Sequence, residues 1–205
     1  MKNQSPVRHR LDPFTVRKRV DIYQIYTAAT TLPVSVSDAK AHLGVTHSNH
    51  DSLIEDLIWG AVKQFEKRAN VALSSQNWKA FVDNGYAEFE LWKYPITGIS
   101  SIQYYDSDNA LQTLSSGDYY SNVNTGSLGW NPRPIVIFMT DIPSTYERED
   151  AVIITINTGY SIIDYDVKQA LLSWVYRKYN NPDDAVTERI SFFDNVVGDN
   201  RSYGL

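Results

Sequence analysis

Between Ser74 and Tyr160 the apolar residues recur at every second position, whereas on either side they recur every three to four. That double change of period is the strongest constraint on the fold, because it predicts helices, then a run of strands, then helix again. Within the middle stretch, WKAFVD, EFELW, ISSIQYY, DYYSNV, PIVIFM and AVIITINTGY are rich in β-branched and aromatic residues. The DNG, DSDNA, SSGD, NTGSLG and NPRP runs that separate them are turn material. EFELW sets Phe89 and Leu91 on one side and Glu88 and Glu90 on the other, the pattern of a half-buried antiparallel strand. At least five strands in fewer than ninety residues predict a sheet folded on itself.

The flanking segments carry helix punctuation. Ser35 precedes an apolar stripe of Val36, Ala39 and Leu43, with Asp38 at the capping-box spacing and Gly44 where a left-handed C′ residue belongs. A second start is read at Ser52, with Glu55 three residues on. Behind it Ile54, Leu57, Ile58, Ala61, Val62, Phe65 and Ala69 form a wide stripe ending near Asn70. After the strands, Val167, Ala170, Leu171, Trp174, Val175 and Lys178 share one helical face, with Asp164 or Asp166 as the start and Pro182 as the stop. The predicted class is α+β: a helical unit of two N-terminal helices plus one C-terminal helix, with an inserted antiparallel β domain. In residues, this gives an arm (1–30), a helical pair (31–72), the β domain (73–160), a helix packing on the pair (161–181) and a tail (182–205).

The two ends are unlike the body. In the arm, VDIYQIY (residues 20–26) alternates loosely and reads as an edge strand or as an extended segment lying on something else. Residues 1–20 hold Lys2, Arg8, Arg10, Arg17, Lys18 and Arg19 against Asp12 alone, a net +5, which leaves −10 on the rest of a chain of formal charge −5. A basic arm on an acidic body suits contact with phosphates or an acidic neighbour, and it is equally the composition of a solvated tail. The tail carries Val186, Ile190, Phe192, Phe193, Val196 and Val197 beyond Pro182. Six sizeable apolar side chains there predict docking, either on a partner or back on the chain's own domain.

Composition narrows the chemistry. With no cysteine there are no disulfides, no thiolate metal site and no cysteine nucleophile. No signal peptide is read in MKNQSPVRHR, and no apolar run reaches the roughly 20 residues of a membrane span, so the expectation is a soluble protein made inside the cell. His42, His47 and His50 cluster between the first two helices, and HSNH with Asp51 offers two imidazoles and a carboxylate that would suit a divalent ion in a hydrolase. HExxH is absent, however, and histidines beside Ser, Asn and Asp are common turn residues. GxSxG and glycine-rich phosphate loops are absent too. The fourteen tyrosines and five tryptophans would suit a glycan-binding tail module, although Tyr104, Tyr119, Tyr120, Trp78 and Trp174 also fit strand faces and a helix stripe.

Four blocks in order carry a resemblance. PVSVSDAKAHLGV with DSLIEDLIWGAVKQFEKRANVAL resembles the N-terminal helical pair of the head-tail connector family of tailed bacteriophages, the adaptors beneath the portal. LWKYPITGISSIQYYDSDNALQTLSSGDYY is similar to that family's strand pair, AVIITINTGY to its last strand, and DVKQALLSWVYRKYNN to its final helix. The similarity runs from about Leu32 to Asn181. It departs in the longer basic arm, in Pro182, and in Trp59-Gly60 within the second helix.

The resemblance implies a structural virion protein with no catalysis and no cofactor. It implies residence in the neck after assembly in the host cytoplasm, in a ring of neighbouring copies, usually twelve. Its partners would be the portal protein, the next neck or tail-completion protein, and double-stranded DNA passing through without sequence-specific binding; no membrane is involved. The expected contact residues are Arg8, Arg10, Arg17, Lys18 and Arg19 in the arm and Val186, Ile190, Phe192, Phe193 and Val196 in the tail.

Overall fold

The computed structural model describes residues 18–83, 88–123, 134–139, 144–182 and 191–200. Helix α1 (Val36–Leu43) begins as the sequence predicts: the Ser35 hydroxyl accepts the Asp38 N–H at 3.0 Å and donates to the Asp38 carboxylate at 2.8 Å. Gly44 ends it with φ +72°. Helix α2 (Asp51–Ala69) starts one residue before the predicted capping box, because Ile54 N–H closes the first turn on the His50 carbonyl. Asn70 ends it in the left-handed region (φ 55°) and donates its side-chain amide to the Trp92 carbonyl.

The strands form two sheets, a finer answer than one sheet folded on itself. One has four strands: β1 (Lys18–Arg19), β4 (Glu88–Glu90), β8 (Ile135–Phe138) and β7 (Tyr119–Ser121), in that order. The other has five, in the order β2 (Ile22–Thr27), β3 (Gln76–Val82), β9 (Val152–Thr158), β5 (Ile96–Tyr105) and β6 (Leu111–Thr113). All pairings are antiparallel except β1 with β4. Residues 18–27 thus supply an edge strand to each sheet, so the β layer is built from both sides of the first helices in sequence. The two sheets share one core. Phe89 and Val136 from the first meet Ala80, Val82, Ile102, Ile154 and Ile156 from the second, and Phe89 and Phe138 pack edge-to-face at 5.3 Å.

The half-buried reading of EFELW is corrected. Glu88 and Glu90 are buried along with Phe89, at 7% and 9% exposure against 0%. β4 lies inside its sheet between β1 and β8, and the N-terminal segment closes over it through Val20 N–H to the Glu90 carbonyl at 3.0 Å.

Helix α3 (Tyr165–Asn180) packs Val167, Ala170, Leu171 and Val175 on α2, joining Ile54, Ile58, Ala61, Val62 and Phe65 in the second core. Trp174 lies against Gly60, where a β-carbon would sit 3.1 Å from the indole ring. The unusual Trp59-Gly60 step therefore makes room for an α3 tryptophan. A fourth helix, α4 (Ser191–Asp199), completes this core with Phe193, Val196 and Val197. The fold is α+β.

Candidate assembly surfaces

The histidine junction is occupied by its own neighbours. Lys40 Nζ sits 2.6 Å from Asp51 Oδ1, His50 Nδ1 shares a hydrogen bond with the Tyr179 hydroxyl, and His42 lies edge-on to Tyr176. His47 and His50 pack their rings edge-to-face at 4.8 Å. Although the His47 and His50 rings touch, among the described residues no group of three His, Asp or Glu side chains could hold a metal ion. Chemically this is a clasp between α1, α2 and the last turn of α3. A second tie lies nearby, where Lys168 of α3 meets Asp38 of α1 at 3.0 Å. That contact, with help from Ser35, holds the Asp38 carboxyl below the usual carboxylate range.

The aromatic residues sort themselves by burial. Trp78, Tyr104 and Tyr119 pack on the β core, whereas Tyr120 stands 52% exposed. The Trp78 ring carries the Lys93 ammonium at 4.3 Å, and Arg19 stacks on Trp92 at 3.8 Å. Tyr23 of β2 accepts the Trp92 N–H at 2.8 Å, and its burial pushes the phenol far above its ordinary range. These contacts fasten the N-terminal segment to the link between β4 and β5.

A joint connects the helical core to the sheets. Glu66 of α2 accepts the Leu73 N–H at 2.7 Å and the Gln76 side-chain amide at 3.1 Å, and its burial raises the carboxyl's pKa. Ala72 N–H reaches the Tyr94 carbonyl at 2.7 Å. Gly159, with φ +112°, passes so close to Ser74 that a β-carbon there would fall 2.4 Å from the Ser74 carbonyl oxygen. The glycine of the GY pair after the last strand is thus a packing requirement at this joint. Neither Glu66 nor Gly159 stood out in the sequence by spacing alone.

Of the expected arm contacts, Arg8, Arg10 and Arg17 lie outside the described residues. Lys18 pairs with Asp83 at 3.3 Å and Arg19 with Asp21 at 3.0 Å, so both already have partners within the chain. Of the expected tail contacts, Val186 and Ile190 lie outside the described residues. Phe193 and Val196 are corrected: they are 1% and 6% exposed on the chain's own helices, which is the fold-back alternative. Phe192 remains 44% exposed.

Residues 33–126 match the model of the phage gp6-like head-tail connector protein family, so the resemblance read from the sequence holds over that stretch. No curated protein matches the chain. Among solved structures, a chain in the neck of an empty gene transfer agent (GTA) particle, computed with C6 symmetry, is similar at TM-score 0.72 and 14% identity. A chain in the virion of a native gene transfer agent particle is similar at 0.71 and 15%, and one in the neck of a native particle computed with C12 symmetry at 0.69 and 16%. Each likeness covers 90% of this chain and 97% of the other. At such identities the likeness establishes the shared fold.

Proposed function

We propose that this chain is a structural component of the virion neck, a head-tail connector that assembles into a ring between the portal and the next neck or tail-completion protein. The observation that carries the reading is the connector-family match over residues 33–126, set in a fold shared along 90% of the chain with proteins of particle necks. A twelve-fold ring is supported by the C12 symmetry named for one of those necks. The acidic body beyond residue 20 suits a channel wall: like charge repels phosphates, so DNA slides past without sticking. Arg8, Arg10 and Arg17 then serve contacts with an acidic neighbour, and Phe192 with Val186 and Ile190 serves the portal side.

Light scattering of the full-length protein, alone and with the portal protein of its own particle, tests this reading. The expected result is a monomer or weak oligomer alone and a ring-sized complex with portal. A closed small oligomer that ignores portal contradicts it.

A further inference from the structure

Among the described residues, two edges of one sheet stand open at opposite ends. In the order β2-β3-β9-β5-β6, no described strand pairs with the outer side of β2 or of β6. β2 reads IYQIYT, six residues without a charge or a proline, and it exposes Ile22 (57%), Ile25 (49%) and Tyr26 (61%). Edge strands that stay alone are usually blunted by charge, proline or brevity. β6 is short, exposed along its whole length, and shows Leu111 at 48%.

The two ends also differ in charge. The chain reaches β2 through its basic segment, and Lys79 of β3 stands opposite Gln24 of β2, its ammonium over Tyr26. At the other end Asp106 and Asp108 lie in the turn that leads into β6. The adjoining segment, bridged to Asp106 through Thr145, adds Glu147, Glu149 and Asp150, with Arg148 as its one cation, tied to Asp150.

We propose that these edges are the two halves of one self-association surface: the β2 edge of one copy meets the β6 edge of the next, continuing the sheet across the subunit boundary. The inference rests on the ring reading above and names the partner surface. A ring of more than two identical subunits needs a head-to-tail contact between two different patches. Opposite ends of one sheet supply them, and backbone pairing at a free edge is a common recognition mode. Opposite charge favours β2 against β6, while β6 against β6 sets like charges together.

The chain has no cysteine, so thiol trapping is clean. The full-length Ile25→Cys/Leu111→Cys variant, assembled on portal and treated with a short bis-maleimide, should give a ladder of dimers, trimers and longer chains, while each single variant, whose like positions do not meet, stays monomeric. The pair Tyr26→Cys/Thr113→Cys repeats the test if the first pair melts early. In parallel, Ile25→Lys should abolish rings on portal with its melting unchanged. If wild-type rings form but no ladder appears and Ile25→Lys still forms rings, the edge pairing is overturned and the ring reading stands. If the wild type forms no ring with or without portal, both are overturned.

Discussion

Phe193 of the last helix sets its ring edge-on to Phe65 of α2, with centroids 5.7 Å apart and planes at 88°. Arg68 and Asp194 close an ion pair beside it. The C-terminal helix is therefore part of the helical core, and removing it uncovers Phe65. Phe193→Ala should cost about 3–5 kcal/mol, the range for a buried phenylalanine truncated to a methyl. Chemical denaturation checks this; a wild-type midpoint would mean the helix docks without contributing to stability.

How much of this was legible beforehand depends on what each signal reports. Ser35, Asp38 and Gly44 fixed α1 to the residue, because caps are local chemistry. Ser52 misled by two positions as a cap, since the first turn of α2 closes on the backbone of His50 and no side chain caps it. Alternation in EFELW was real, but alternation cannot reveal that β4 lies inside its sheet and that its glutamates are enclosed too. In the tail the six apolar residues read as one docking segment, whereas Phe193, Val196 and Val197 already had the i, i+3, i+4 spacing of a helix packing on its own domain. β1 has two residues, too few for any period to show. The histidine junction was readable as a junction; its tyrosine partners lie more than a hundred residues away in sequence and only the fold brings them there.

Two glycines separate by what their missing side chains would meet. Gly159→Ala must leave a positive φ and also displace Ser74 backbone, so it should destabilise by well over 1 kcal/mol, beyond the usual cost of backbone strain alone. Gly60→Ala meets only the end of the Trp174 ring and gains about 1 kcal/mol of helix propensity, so its net effect should be much smaller. Thermal melts of the two variants check the order; equal losses would contradict the backbone contact at Gly159.

Asp38 governs part of the acid limb. Its pKa is lowered in the fold by Lys168 and then Ser35, so its contribution is present above the ordinary aspartate range and is lost as pH falls through the folded value. The pair is largely exposed, which limits it to about 1 kcal/mol. Asp38→Asn should flatten the acid end of the stability-versus-pH curve by that amount. An acid limb identical to wild type would show that the contact carries no energy.

Glu66 works in the opposite sense. Burial raises its pKa, so its titration favours the fold below the unfolded value, and that contribution is lost as pH rises through the folded one. Glu66→Gln should remove this loss while keeping a carbonyl acceptor for the Leu73 N–H. Glu66→Ala leaves that N–H without its acceptor and should cost roughly 1–3 kcal/mol. Denaturation across pH distinguishes the two, and matching curves for both variants would contradict the joint's dependence on Glu66.

The proposed place in the neck is tested most directly by locating the chain in assembled particles. An epitope tag at the N-terminus, gold-labelled and imaged by electron microscopy on purified virions, should mark the junction of head and tail. Gold on the head shell, along the tail or at its far tip would contradict the connector reading, as would particles that lack the protein altogether.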